Sequence, residues 1–350
     1  MKKPTKKVKV GSIFIGGDAP ISIQSMTNTD TSDLESTQRQ VLQLRDAGCD
    51  LVRVALEKVS QADNFKKLIP LANLCADIQF DYRLAVLASE LGVAKIRFNP
   101  GNVGGEQNVK KIVDACKANG TAIRIGVNSG SIQKEFQTQA KGDIPHALVL
   151  SILNAIQQVE KYGIDSIVLS LKTSNATTNW QANRLLSQQT DYPLHIGVTE
   201  SGSLDMGLAK SYASLGALLL DGIGDTIRIS LTGDPIDEVY AAQRLLRAVG
   251  YDKNFVEVVS CPTCSRCKYD MSALVNEVET LTKNTTQNLK VAVMGCVVNG
   301  PGEANEADIG IAGGGNNKAV VFEKGKVTFS GDFDTAKTKF INALQTRQSS

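Results

Sequence analysis

Cys261, Cys264 and Cys267 fall in the run C-P-T-C-S-R-C, and Cys296 follows in G-C-V-V-N-G-P-G-E, which ends at Glu303. Soft thiolates at C-x-x-C spacing suit a tetrahedral zinc or an iron–sulfur cluster. A zinc ribbon usually brings two C-x-x-C pairs, and the second segment has only Cys296. C-P-x-C with one distant cysteine meets the three or four thiolates of a 4Fe–4S cluster, so the spacing favours the cluster. The residues leave the ligand set open. Either Cys261, Cys264, Cys267 and Cys296 form a four-cysteine site, or Cys267 is a bystander and a non-thiolate completes it.

A second constellation lies upstream, where short β-branched runs carry polar residues at alternate positions. Arg97 and Asn99 form one set; Arg124, Gly126 and Asn128 another; then Ser170 with Lys172, and Arg228 with Ser230. Asp77, Gln79, Asp81 and Arg83 keep the same parity through a further run and its turn. Period two places each set on one face of a strand. Arg97, Arg124, Lys172 and Arg228, with Arg53, would repel one another at one site unless they met an anion. Guanidinium forks match phosphate oxygens. The turns Asn128-Ser129-Gly130-Ser131, Ser201-Gly202-Ser203 and Gly222-Ile223-Gly224-Asp225 could add backbone N–H groups. Together they suggest a small polyanion, a phosphate or diphosphate. Thr199 and Glu200 end the seventh run, and Glu200 is either a charge-balancing partner or a catalytic acid/base. The competing reading is a set of satisfied interior ion pairs, such as Asp81 with Arg97. Neither His146 nor His195 belongs to a ligand-spaced motif, and His195 reads as a polar strand residue.

Positioning these groups requires a repeated unit. Residues 33–47 carry Leu34, Val41, Leu42 and Leu44 at helical spacing, Gly48 can end the helix left-handed, and Leu51-Val52-Arg53-Val54 follows as a strand. The same grammar recurs at Gly92, Gly120 and Gly163. Strands are expected near 21–26, 52–56, 75–79, 95–99, 122–127, 166–171, 194–199 and 226–231. Eight strands alternating with helices predict a (β/α)8 TIM barrel, the α/β alternative being an open doubly wound sheet. Its apolar strand faces must meet the helices, so the polar faces look inward and form a mouth. Residues 1–250 are thus assigned to a substrate-binding barrel. Beyond Gly250, strands at 255–260 and 289–294, a helix at 271–283, a hairpin at 319–329 turning at Gly325 and a helix at 335–345 predict a small α+β unit, 255–350. Both cysteine segments directly follow its strands.

The 350-residue chain is 42% hydrophobic, ample for such cores, and its net charge of +2 does not suggest a nucleic-acid partner. Lys2, Lys3, Lys6, Lys7 and Lys9 read as a solvated, partly disordered tail, not a signal peptide. No apolar run is long enough to span a membrane. Seven cysteines without a signal peptide argue for a reducing, cytoplasmic setting. Cys49, Cys75 and Cys116 read as buried packing residues.

The runs Asp77–Arg83 (D-I-Q-F-D-Y-R), Arg97–Asn102 (R-F-N-P-G-N), Arg124–Asn128 (R-I-G-V-N), Cys261–Cys264 and Gly295–Glu303 resemble the 4-hydroxy-3-methylbut-2-enyl diphosphate synthases of the methylerythritol phosphate route to isoprenoids. The resemblance covers nearly the whole chain. It implies a TIM barrel joined to a ferredoxin-like cluster unit, in a head-to-tail homodimer where one subunit's cluster closes over the other's barrel. It implies that Cys261, Cys264, Cys296 and Glu303 hold a 4Fe–4S cluster, the carboxylate being the more labile ligand. The implied reaction is reductive ring opening of 2-C-methyl-D-erythritol 2,4-cyclodiphosphate with loss of water. Its two electrons come singly from flavodoxin or ferredoxin. Arg53, Asp81, Arg83, Arg97, Asn99, Arg124, Asn128, Ser170, Lys172, Thr199, Arg228 and Ser230 become substrate contacts, and Glu200 and Glu303 catalytic groups. Two positions depart from the family pattern. Cys267 is an extra cysteine, and Gln79 stands where histidine is common, which limits that position to hydrogen bonding. The rivals are a phosphosugar-binding barrel enzyme with a structural zinc module and an iron–sulfur sensor.

Overall fold

The first βα unit shows the local logic of the chain. Asp33 caps helix α1 (Leu34–Asp46) by accepting from the Ser36 N–H, and Gly48, at φ 95°, turns the chain out of it. Val41 and Leu44 are buried on its inner face. This computed structural model describes residues 2–252, 254–267, 269–283, 285, 287–296 and 306–348. Expectations that fall on 297–305, Glu303 among them, lie outside the described residues.

The chain divides into two compact units, Met1–Tyr251 and Asp252–Ser350. The first opens with a hairpin, β1 (Val8–Val10) and β2 (Ile13–Ile15). Eight parallel strands follow: β3 (Ser22–Met26), β4 (Leu51–Ala55), β5 (Leu74–Asp77), β6 (Lys95–Phe98), β7 (Ala122–Asn128), β8 (Ile167–Lys172), β9 (His195–Gly197) and β10 (Thr226–Arg228). Their order is β8-β7-β6-β5-β4-β3-β10-β9, and a parallel bridge from Leu169 to Leu194 closes the ring. Behind the strands lie α1, α2 (Ala62–Leu68), α3 (Tyr82–Glu90), α4 (Glu106–Asn119), α5 (Lys134–Gln139), α6 (Ile144–Glu160), α7 (Ala176–Ser187), α8 (Leu204–Leu220) and α9 (Pro235–Ala248). The main core fills the space between the strands' outer faces and the helices, with Val52, Val54, Ile96, Phe98, Ile123 and Ile125 among its members. All eight barrel strands of the sequence reading are present.

The N-terminal lysines overturn one expectation, because their segment is folded against the barrel. Val8, Val10 and Ile15 pack on Leu51, Cys75, Ala122 and Val168, the inward residues near the strand starts, and so close the barrel's base. Lys2 Nζ lies 2.8 Å from buried Asp225, and Lys6 Nζ stands 4.0 Å from the centroid of the Tyr192 ring. Alternate apolar residues flanking Gly11 carried the hairpin signal, which the charge run obscured.

The second unit has a mixed sheet in the order β11 (Val256–Ser260), β12 (Leu289–Met294), β13 (Ile309–Gly315), β14 (Lys318–Glu323), β15 (Lys326–Asp332). The first three are mutually parallel, and the last two form an antiparallel hairpin turning through Lys324 and Gly325, both at positive φ. Helices α10 (Met271–Thr282) and α11 (Phe333–Gln348) complete it, and Leu274, Val278, Val291, Val293, Ile309, Ile311 and Phe340 form its core. Strand β13 was not anticipated. Its glycine-rich second half, Gly313 to Gly315, hides the usual β-branched signature. No helix among the described residues is long and apolar enough to cross a membrane.

Candidate active site

The inward strand faces surround a cavity of about 230 Å³ at the C-terminal end of the barrel, where such folds carry their sites. Arg53, Gln79, Arg97, Arg124, Gly126, Val127, Asn128, Ser170, Lys172 and Thr199 line it. That volume lies just under the roughly 300 Å³ at which small-ligand pockets usually begin. Two glycines make room for the long cations. A Cβ at Gly126 would stand 3.0 Å from Arg97 Nε, and one at Gly197 would stand 2.5 Å from Lys172 Nζ.

Charge is matched unevenly around this cavity. Asp77 Oδ1 lies 2.6 Å from Arg53 Nη2 and 3.5 Å from Arg97 Nη1, and Gln79 Nε2 donates to Asp77 Oδ2 at 2.8 Å. Burial pushes the Asp77 carboxyl upward, but Arg53 and then Arg97 outweigh it and hold it below its ordinary value. Arg228 is gripped in bidentate fashion by Glu238 of α9, at 3.1 and 3.2 Å, and Glu238 also accepts from Ser25 Oγ and the Leu231 N–H. Among the described residues no carboxylate pairs with Arg124 or Lys172. The Nε and Nη1 of Arg124 are buried without a hydrogen-bond partner. Burial, then Arg124 and Arg228, draws Lys172 well below the usual lysine range.

Several expected contacts lie elsewhere. Asp81 caps α3 and pairs with Arg83 at 2.7 Å, and Arg83 remains 71% exposed. The inward parity stops at Gln79, so both leave the barrel interior, and the anticipated Asp81–Arg97 pair is replaced by Asp77–Arg97. The Asn99 Oδ1 accepts from the Gly101 N–H, closing a turn beside the cavity. The Ser230 carbonyl accepts from Ser201 Oγ. Glu200 is exposed in the loop after β9 with φ 51°, a left-handed conformation that costs a non-glycine residue about 1–3 kcal/mol. The turn Gly222–Asp225 precedes β10, so it sits at the opposite end of the barrel and adds nothing to the mouth. There Asp225 accepts from the Leu194 N–H and Thr5 Oγ1.

Glu238, Lys95 and Gln24 escaped the sequence reading. Glu238 gave no signal, since a glutamate in a helix's first turn is ordinary. Lys95 did, because it shares the parity of Arg97 and Asn99. His195 is a fully buried strand residue on β9, as its context suggested, and burial followed by Lys172 and Arg124 lowers its pKa well below 6.5.

In the second unit, Cys261 follows β11 and Cys296 follows β12. These strands are parallel neighbours with Ser260 opposite Val293, so sheet pairing brings the two cysteine segments to one end. The Gly295 N–H donates to Cys261 Sγ at 3.2 Å, the kind of bond that cluster sulfurs accept. All seven cysteines are free thiols. Among the described residues no three metal-binding side chains stand together as a preformed cage. Donor type and strand register nevertheless fit an iron–sulfur cluster. Cys267 Sγ donates to the Tyr269 carbonyl at 3.2 Å. Cys49, Cys75 and Cys116 are buried, as expected of packing residues.

Fold and site define a (β/α)8-barrel protein with a cationic mouth, joined to a cysteine-bearing α+β unit. The GcpE TIM-barrel domain matches residues 5–243, and the GcpE protein C-terminal domain matches residues 257–346. The chain belongs to the GcpE family. A protein of Caldanaerobacter subterraneus subsp. tengcongensis named 4-hydroxy-3-methylbut-2-en-1-yl diphosphate synthase (flavodoxin) is 52% identical over 93% of this chain and 92% of its own length. A protein of Clostridium perfringens with the same name is 50% identical over 93% and 94%. Among solved structures, a truncated 3-deoxy-D-arabino-heptulosonate 7-phosphate synthase from Thermotoga maritima aligns with TM-score 0.53 and 11% identity, covering 71% of this chain and 94% of that one. This last likeness is one of barrel fold alone.

Proposed function

We propose that this chain converts 2-C-methyl-D-erythritol 2,4-cyclodiphosphate to 4-hydroxy-3-methylbut-2-enyl diphosphate. The names of its half-identical relatives point to this activity. The observation that carries the reading is the pair Arg124 and Lys172, standing at the cavity without a described carboxylate. Buried uncompensated cations are costly, so they call for an anionic ligand. Arg53 and Arg97, oriented by Asp77, present their forks to the diphosphate. Arg124 supplies the unmatched charge, and the anion favours the ammonium form of Lys172 that burial and Arg124 otherwise oppose. Asn128, Ser170 and Thr199 donate hydrogen bonds from the rim. In net atoms, one carbon–oxygen bond to phosphate and one carbon–hydroxyl bond break, a carbon–carbon double bond forms, and two electrons and two protons enter as water leaves. Glu200 delivers a proton from its carboxyl to the departing hydroxyl.

A 4Fe–4S cluster held by Cys261, Cys264, Cys296 and Glu303 would supply the electrons, received one at a time from flavodoxin or ferredoxin. In this reading residues 1–250 take the substrate and 255–350 the cluster. Two copies pair head to tail, so that one subunit's cluster unit covers its partner's barrel. Exposed Phe80, Leu204 and Met206, on segments leaving the C-terminal ends of strands, suit such a cover.

The deciding experiment is iron, sulfide and zinc analysis of anaerobically prepared protein, followed by turnover of the cyclic diphosphate with a chemical reductant. A brown protein with four iron atoms per chain and product formation supports the proposal. Stoichiometric zinc without colour points to the structural-zinc barrel, and a cluster without turnover to a sensor.

A further inference from the structure

Below the cavity, Lys95 lies fully inside the barrel, and its Nζ has no hydrogen-bond partner. It sits on β6 one inward step beneath Arg97, about 7 Å deeper along the strand. Strand pairing sets it opposite Cys75 of β5. Arg53 from β4 and Arg124 from β7 act on it electrostatically, and Lys95 in turn acts on His195 of β9. Asp77, one inward step above Cys75 on β5, already serves Arg53 and Arg97. Above this layer stand Lys172 of β8 and Arg228 of β10, the latter matched by Glu238. Gln24 of β3 and His195 Nε2 add further buried polar atoms with no partner. An inert barrel would fill such positions with branched apolar side chains.

We propose that Lys95, buried without a partner beneath the cationic mouth, is a charge-matching positioning residue that takes up a proton when the diphosphate occupies the cavity above it. Burial, with Arg124 and Arg53 opposing any further cation and Cys75 acting against them, brings its pKa down to about 7. A dianion docked on Arg124 reverses the sign of the local potential and favours the ammonium form. The proton comes from solvent. A cyclic diphosphate has no weakly acidic phosphate proton, so it does not itself titrate near neutrality. This proposal rests on the function proposed above.

The test is calorimetric titration of the anaerobic holoprotein with the cyclic diphosphate, without reductant, in buffers of different ionisation enthalpy. The buffer dependence of the heat gives the protons taken up per site. The share carried by Lys95 should approach about one proton near pH 8 and fall toward zero below about pH 6, where Lys95 is already charged, so total uptake must diminish over that range. Lys95→Met should bind the ligand with about one proton less uptake near pH 8 than the wild type, any uptake by Lys172 being common to both, whereas His195→Asn should keep the wild-type value. Uptake in Lys95→Met equal to wild type, or binding by the wild type without uptake, overturns the role of Lys95 and leaves the substrate reading intact. Absence of binding overturns both. Should Lys95→Met not fold, the wild-type pH profile decides: uptake undiminished below about pH 6 rules Lys95 out.

Discussion

Gly197 on β9 leaves the space that Lys172 of β8 occupies. A Cβ there would stand 2.5 Å from Lys172 Nζ and 2.7 Å from the Arg228 carbonyl oxygen. The lysine tip can move aside, but the carbonyl cannot. Gly197→Ala should therefore cost about 1–3 kcal/mol of stability. It should also raise KM for the cyclic diphosphate roughly tenfold or more, by about 1.4 kcal/mol of lost binding. Thermal unfolding and steady-state kinetics read the two effects separately. An unchanged KM would mean that Lys172 does not contact substrate.

Asp77→Asn should destabilise the barrel by about 3–5 kcal/mol, because Arg53 and Arg97 lose their shared carboxylate in a buried setting. Inorganic diphosphate should recover part of the loss in Tm by binding the freed cations. The native pKa of Asp77 is lowered, so its stabilisation is complete above the ordinary carboxylate value of 3.8. It is lost as pH falls below that value through the native one. Acid unfolding of Asp77→Asn should be correspondingly less steep in that range.

Asp225 works at the other end of the barrel. It is 1% exposed, meets Lys2 at 2.8 Å, and accepts from Thr5 and Leu194. Asp225→Asn should lower stability by about 1–3 kcal/mol while KM stays at the wild-type value. A large KM change would return the Gly222–Asp225 turn to the substrate site.

The left-handed backbone of Glu200 separates strain from chemistry. Glu200→Gly should raise stability by about 1 kcal/mol through relief of that conformation. It should cut kcat by about a hundredfold or more, the usual worth of a positioned acid. Glu200→Gln should share the kinetic loss without the gain in Tm. Full activity in Glu200→Gln would reduce the residue to a structural role.

Cys267 donates to the Tyr269 carbonyl, a bond that a serine hydroxyl can reproduce. Cys267→Ser should keep the iron and sulfide content of the parent, whereas Cys261→Ser and Cys296→Ser should lose it. Glu303→Ala should yield a less stable cluster. Loss of iron in Cys267→Ser would make it a ligand.

The barrel was legible because most of its helices end at a glycine, as at Gly48, Gly92, Gly120 and Gly163, and a short β-branched run follows as a strand. Seven of the ten cavity residues were expected as substrate contacts, with Gln79 and Gly126 sharing the inward parity and only Val127 unforeseen. Parity failed at Asp81 and Arg83, because alternation persists in sequence after the strand has become a helix cap. The partners of charged groups were not legible. Asp77 finds Arg53 and Arg97 through strand register, and Glu238 reaches Arg228 from a helix ten residues on. The tail was misread because charge dominated its composition, although Val8, Val10 and Ile15 do the packing.

The sheet of the second unit brings the Cys261 and Cys296 segments to one end, and Cys261 packs at the edge of a core built from Leu274, Val278, Val291, Ile309 and Phe340. Backbone pairing thus sets the spacing of these two thiols, whereas in a zinc finger the metal creates the fold. A substitution that slips the β11–β12 register would therefore separate the two thiols without altering either cysteine.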